Sequence, residues 1–443
     1  MQTRFTARQL ADPAIAESNR ILRACVHCGF CTATCPTYRI TGDELDSPRG
    51  RIYLIKDMLE NDRAADARTV RHLDRCLTCL GCMTTCPSGV NYMHLVDHAR
   101  RHVERTFRRP WSERWLRSLI VRLMSGPRRF RAALTAARLV RPLAGLLPAR
   151  LRRLVEFAPR ELPANAAVRC PTVDPAATPG ATAGAPRIRR VALLPGCVQP
   201  VLRPSIDAAA ARLLERAGVE VVAAGGIGCC GALSHHLGDE RRSLAQARAA
   251  IDAWIALAER RGLDAIVVTA SGCGTMLKDY GFLFRDDPAY AGRAARVAAL
   301  TRDVSEVLDA LPLPPAIRGA GLRVAYHAAC SLAHGQRIVD APRRLLRGAG
   351  FEVVEIPDGH LCCGSAGTYN LLQPELSDAL LVAKLANITS VAPAAVAAGN
   401  IGCLVQIARG ARVPVLHTVE LLDWATGGPV PAGLQARESR RET

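Results

Sequence analysis

The run Cys25-Val26-His27-Cys28-Gly29-Phe30-Cys31-Thr32-Ala33-Thr34-Cys35-Pro36 returns as Cys76-Leu77-Thr78-Cys79-Leu80-Gly81-Cys82-Met83-Thr84-Thr85-Cys86-Pro87. Three thiolates at i, i+3 and i+6 can wrap three corners of one cubane. The fourth, carried away by the following Pro, reaches the other cluster, as in the bacterial run for a pair of [4Fe–4S] clusters. The expected sets are Cys25, Cys28, Cys31 and Cys86 for one cluster, and Cys76, Cys79, Cys82 and Cys35 for the second. Gly29 and Gly81 stand where the loops must curl tightly. Structural zinc is the alternative, but its sites use Cys pairs separated by a longer loop. Neighbours at i+3 with a Pro stop also serve a metal better than a disulfide.

Around these runs the chain reads as helical. Asp12 and Pro13 suit the cap and first turn of a helix reaching Arg23. The spacer between the runs carries Gly42-Asp43-Glu44-Leu45-Asp46-Ser47-Pro48-Arg49-Gly50-Arg51-Ile52. Ser47 and Pro48 there suit another helix start, followed by a stripe of Ile52, Leu54, Ile55, Met58 and Leu59. Leu73 to Thr85 is expected to repeat the helix-and-turn pattern, and His94 to Phe107 to continue as a basic helix. The clusters are therefore expected among helices rather than in a small all-loop ferredoxin.

The 443 residues are 49% hydrophobic but only 4% aromatic, so a sizeable core must be mostly Ala, Val and Leu. Seventeen Cys without an apolar leader segment fit a reducing compartment. No apolar run is long enough for a transmembrane helix. The net charge of +18 invites a nucleic-acid reading, but residues 100–160 alone hold 17 Arg against three acids. The charge is local, which disfavours a basic nucleic-acid binder. Trp111, Trp115, Leu116, Leu119, Ile120, Leu123 and Met124 interleave with those Arg, so the stretch can lie on an anionic membrane surface or pack as a connector. Residues 159–187 read as a linker, and its Cys170 has no assigned role.

From Ile188 the chain repeats itself. Val191-Ala192-Leu193-Leu194 leads to Cys197, and Val324-Ala325-Tyr326-His327 leads to Cys330. Helices over 205–217 and 341–348 are expected next. Val219-Glu220-Val221-Val222 then precedes Cys229-Cys230-Gly231, and Phe351-Glu352-Val353-Val354 precedes Cys362-Cys363-Gly364. The offset is 133 at both positions. A third apolar run in each copy precedes Cys273 and Cys403, at an offset of 130. Strand–helix alternation predicts α/β units with parallel sheets whose strand ends bear ligands. Cys197, Cys229, Cys230 and Cys273 should converge in the first copy, and Cys330, Cys362, Cys363 and Cys403 in the second. A metal or cluster site is expected; buried structural Cys is the alternative. The second copy is the expected redox-metal site. It has His327 and His360 nearby and a small-residue turn, Gly364-Ser365-Ala366-Gly367, where the first copy has Leu233. His235, His236 and His334 are further candidates for tuning or proton transfer.

The first Cys run, the spacer Gly42 to Ile52 and the two Cys-Cys-Gly repeats together resemble the iron–sulfur subunits of glycolate oxidase, over nearly the whole chain. The resemblance implies a complex in which flavin (FAD) subunits oxidise a 2-hydroxy acid and this chain carries electrons towards quinone; the basic stretch 100–160 adds the expectation of peripheral attachment to the inner face of the membrane. It implies no catalytic residue here, and no Gly-x-Gly-x-x-Gly fingerprint follows a first strand. The iron–sulfur subunit of anaerobic glycerol-3-phosphate dehydrogenase shares the layout. Heterodisulfide reductase subunits share the repeats but have a further Cys where this chain has Met276 and Gln406, which disfavours a five-thiolate cluster and a disulfide-reducing role. The expected organisation is an α-helical ferredoxin domain (1–108), a basic helical connector and linker (109–187), and Cys-Cys-Gly α/β units over 188–312 and 313–427.

Overall fold

A computed structural model describes residues 1–163 and 188–438. Cys170 and most of the expected linker lie outside the described residues. The described chain forms two compact units. The first gathers residues 1–121, 232–244 and 358–384; the second gathers 122–231, 245–357 and the chain from 385 onward.

The first unit is helical. Its helices Pro13–Ala24 and Pro48–Glu60 start where the sequence placed them. Asp12 accepts a bond from Ala14 N–H, and Ser47 accepts one from Gly50 N–H. Helices Ala67–Asp74 and Tyr92–Thr106 follow, capped by Asp66 and Asn91. Leu22, Ile55, Met58, Leu95, Val96 and Ala99 have no exposed surface and form the centre of this unit. Each large side chain among them contributes roughly 1.5–3 kcal/mol by burial. The short helices Phe30–Ala33 and Gly81–Thr85 follow the second Cys of each run.

The curl expected at Gly81 falls one residue earlier. Gly29 is left-handed at φ 89°, and its counterpart in the second run is Leu80 at φ 63°. A left-handed non-Gly residue costs roughly 1–2 kcal/mol. Burial of the Leu80 side chain, 4% exposed, offsets about that much.

The second unit contains two four-stranded parallel sheets. Strands β1 (Arg190–Leu193), β2 (Glu220–Val222), β3 (Ala265–Val268) and β4 (Thr301–Asp303) have the order β2-β1-β3-β4. Strands β5 (Arg323–His327), β6 (Glu352–Glu355), β7 (Ala395–Ala398) and β8 (Val415–His417) repeat it as β6-β5-β7-β8. The central strands β3 and β7 are buried at every position, which is why they read as unbroken apolar runs. Helices Ser205–Arg216 and Ala341–Gly348 match the expected crossovers. No helix among the described residues is long and apolar enough to cross a membrane.

Candidate metal centres

No disulfide joins the cysteines among the described residues. In the first unit, Cys25, Cys28, Cys31 and Cys86 line one open cavity of about 430 Å³, rimmed by Val26, Phe30 and Arg49. Cys82 also reaches its wall. Burial pushes the Cys82 thiol well up, and the charges it feels next are those of Cys79, Cys76, Cys35 and then Cys31. Cys35 and Cys31 of the first run are thus both within electrostatic reach of Cys82. Burial likewise pushes Cys31 up to about 11, despite the Arg49 backbone N–H bonded to it. Buried thiols at this spacing keep their protons until a cation of high charge takes their place, the behaviour of a soft-metal site.

The two sets differ in surroundings. Cys28 is exposed, and Val26 and Phe30 beside it are 66% and 63% exposed. Cys35 and Cys76 are buried and receive donors. Arg51 Nη1 lies 3.8 Å from Cys35 Sγ. Thr78 N–H and Tyr92 O–H reach Cys76 Sγ at 3.4 and 3.8 Å. Arg51 is 1% exposed; its guanidinium also bonds His72 O (2.7 Å), Thr37 Oγ1 (3.0 Å) and Asp46 Oδ1 (3.3 Å). Asp46, fully buried, is shared with His72 Nδ1 and Arg75 Nη1, each at 2.8 Å. Burial pushes the Asp46 carboxyl up, but the His72 bond and the charges of Arg51 and Arg75 hold it below the usual range. Arg51 stays protonated: burial opposes its charge, and the fields of Cys76, Tyr92, Cys35 and Asp46 outweigh that cost. Each of these residues lies in or beside the spacer singled out in the sequence. Sequence reasoning assigns Arg51 and Asp46 no role, because the burial of both side chains does not show in the sequence.

Residues 232–244 and 358–384 join this unit through polar contacts. Asp97, 5% exposed, meets His235 Nε2 at 3.1 Å and His236 Nδ1 at 3.7 Å. Tyr369 O–H donates to Arg75 O (3.0 Å), and Arg39 pairs with Asp358 at 3.1 Å. Cys362 and Cys363 are buried here, followed by Gly364 at φ 89°, where a Cβ would come within 2.5 Å of Ser377 O. Cys362 lies near enough to Tyr369 for its charge to raise that phenol, after burial and the field of Cys76.

In the second unit, Cys197, Cys229, Cys230 and Cys273 come together beyond the ends of β1, β2 and β3. The thiols bond in sequence, Cys197 with Cys229, Cys229 with Cys230, and Cys230 with Cys273. Cys229 is held below the usual thiol range by the bonds from Cys197 and Cys230, helped by Gly231 N–H and Ser125. Cys197 and Cys230 are pushed up in return. This set can share one negative charge and accept a soft cation. Of the second repeat, Cys330 and Cys403 belong to this unit, with β5 and β7, and Cys362 and Cys363 to the first. Asn400 Nδ2 approaches Cys403 Sγ at 3.7 Å, and His327, fully buried at the end of β5, has a ring nitrogen within 4.8 Å of the same sulfur. His334 lies in a single wide turn, Ser331–Gly335, while His360 is pushed down by burial beside Asp358.

The basic stretch forms helices Trp111–Met124, Pro127–Val140 and Ala149–Glu156. Part of its charge is spent internally, since Arg109 pairs with Asp74, Glu104 and Glu113, and Arg117 with Asp74. Leu116, Ile120 and Leu134 are buried, whereas Trp111, Trp115, Leu139, Leu143 and Leu146 are 53–84% exposed.

Residues 21–90 match the family model of a 4Fe–4S dicluster domain, and residues 191–278 and 324–408 each match that of a cysteine-rich domain. Over 426 residues the chain is 43% identical to the glycolate oxidase iron–sulfur subunit of Escherichia coli strain K12, covering 96% of this chain and 99% of that one. It is 32% identical to the probable glycolate oxidase iron–sulfur subunit of Bacillus subtilis strain 168, covering 91% and 94%. Lactate utilization protein A of Bacillus licheniformis is 27% identical over 241 residues, which is 53% of this chain and 99% of that protein. A solved structure of a hypothetical protein from Helicobacter pylori is similar with a TM-score of 0.53 at 10% identity, over 94% of this chain and 73% of that one; the likeness is one of fold alone.

Proposed function

The chain belongs to the family of glycolate oxidase iron–sulfur subunits, and from that premise we propose how it serves the enzyme. It is an iron–sulfur electron-transfer subunit of glycolate dehydrogenase (glycolate oxidase) and works with partner subunits. In our reading separate FAD subunits oxidise glycolate, and this chain passes the electrons towards quinone. The finer assignment rests on one observation: the cavity that holds Cys25, Cys28 and Cys31 of the first run is lined by Cys86 of the second and not by Cys35. We assign one [4Fe–4S] cluster to each set, and these supply one-electron carriage when bound. The chain's own thiolates would hold them, with Cys35 and Cys76 buried in the second set and Cys28 exposed in the first.

The Cys-Cys-Gly repeats are assigned a further cluster or zinc, with the second repeat favoured by His327 near Cys403. Peripheral attachment to the inner face of the membrane is supported by the exposed Trp and Leu of the basic helices. Anaerobic purification with the partner subunits tests the assignment. We expect about eight iron atoms per chain from the two cubanes, with any excess reporting on the repeats. Zinc without sulfide in place of that iron would overturn it, as would a protein that co-purifies with no flavin subunit.

A further inference from the structure

We propose that Arg51 makes the cluster held by Cys35, Cys76, Cys79 and Cys82 the more oxidising of the two, and so sets the direction in which electrons move through this domain. The inference rests on the ligand assignment above and goes beyond it. A reduced cluster carries one more negative charge than an oxidised one. A fixed cation beside it, and N–H or O–H donors to its thiolates, stabilise the reduced form and raise the potential. Arg51 Nη1 lies 3.8 Å from Cys35 Sγ, and the guanidinium is 1% exposed, so water does not screen it.

Its carboxylate partner does not cancel it. Asp46 divides its charge among Arg51, Arg75 and His72, so the network carries a net positive charge. Thr78 N–H and Tyr92 O–H add two donors to Cys76. The first set has its own donor, the Arg49 backbone N–H on Cys31, and a different cation. Arg49 stands beside Gly29, but its side chain is 32% exposed and paired with a half-exposed Glu44, so solvent screens both charges. Two arginines of one helix turn, Arg49 and Arg51, thus play unlike parts. Solvent at Cys28 favours the reduced form of the first cluster, so the order follows only because the unscreened charge of Arg51 outweighs that gain and makes the buried cluster the acceptor.

The test is a redox titration followed by electron paramagnetic resonance on the full chain in its complex, with signals assigned by Cys28→Ser and Cys79→Ser. At least eight iron atoms per chain, with Cys35→Ser degrading the signal that Cys79→Ser degrades, establish the ligand reading before any potential is compared. Arg51→Gln should lower the potential of the cluster that Cys79→Ser damages, and move the other far less, so that the gap between them narrows. Arg51→Lys keeps the charge and should retain most of the gap. Tyr92→Phe removes one donor without altering charge, and should lower the same potential by a smaller step. It serves as the readout if Arg51→Gln fails to load its cluster. Equal movement of both potentials, no movement in Arg51→Gln, or a first cluster more oxidising than the second in the unaltered protein would each overturn the proposal.

Discussion

At the residue scale the site depends on backbone approaches that no side-chain count reveals. Gly50 occupies the first turn of helix Pro48–Glu60, where Ala is ordinarily better by about 1 kcal/mol. A Cβ at Gly50 would collide with the Glu44 carbonyl and come within 2.9 Å of Leu45 Cα. Gly50→Ala should therefore destabilise rather than stabilise, pushing away the turn that carries Asp46. The contrast is Gly42→Ala, with φ 66° but open space, expected to cost only about 1 kcal/mol. Thermal midpoints of the two variants decide; a Gly50→Ala protein as stable as the parent contradicts the packing described. Asp207 gives a pH effect. Burial pushes its carboxyl up to about 7, against the Thr269 and Gln199 bonds that favour the charged form. In the unfolded chain it ionises near pH 4. The folded chain thus holds an extra proton between those values, and stability falls as pH rises from about 4 through about 7. Asp207→Asn keeps the Oδ1 acceptor and cannot ionise. It should flatten that decline and gain on the order of a few kcal/mol at about pH 8, since one pKa unit is about 1.4 kcal/mol. Asp303, pushed up to about 6 by burial, leaves a smaller slope of the same sign in both proteins. Thermal midpoints at about pH 5 and pH 8 measure it; parallel declines would count against a buried, protonated Asp207. The ligating Cys were legible because spacing alone announces them. Arg51 was not, because a lone Arg in a polar spacer looks like any solvated side chain until its burial is known.

At the element scale the Cys runs act as exchanged halves. Cys35→Ser should degrade the spectroscopic signal that Cys79→Ser degrades, and Cys86→Ser the one that Cys28→Ser degrades. Loss that follows run order instead, Cys35 with Cys28, contradicts the exchange of Cys86 into the cavity of Cys25, Cys28 and Cys31. The repeat of strand, crossover and Cys-Cys-Gly was readable from apolar runs at constant offset. The fourth strand of each sheet was not, because β4 and β8 are three residues long and show no run. Their signature is a cap. Asp303 with Glu306, and His417 with Glu420, form reciprocal boxes at the start of the helix that follows. An acid three residues past the cap was visible in both copies. Glu420 also accepts from Ser205 Oγ at 2.6 Å, so Glu420→Ala should cost about 1–2 kcal/mol, read as a fall in the thermal midpoint. An unchanged midpoint would show that this cap carries no stability.

At the scale of the whole molecule, compactness cuts across the order of the chain. Residues 232–244 and 358–384 fold with the N-terminal helices, held by Asp97 with His235 and by Tyr369 with Arg75. Such contacts join polar residues more than a hundred positions apart, and nothing periodic in the sequence marks them. The basic helices bear on where the complex works. Each Arg near an anionic surface is worth on the order of 1 kcal/mol, and salt screens that attraction. High salt should therefore weaken membrane association of the complex, and Leu139→Asp with Leu143→Asp should weaken it at low salt. Sedimentation unaffected by either change would exclude these helices as the anchor. The central claim is that this chain takes electrons from glycolate oxidation through two thiolate-held clusters. The most direct measurement is anaerobic addition of glycolate to the purified complex while cluster reduction is followed by electron paramagnetic resonance. The account predicts that both cluster signals appear with glycolate, and that Cys28→Ser and Cys79→Ser each remove one. Flavin reduced by glycolate beside clusters that stay oxidised would contradict it.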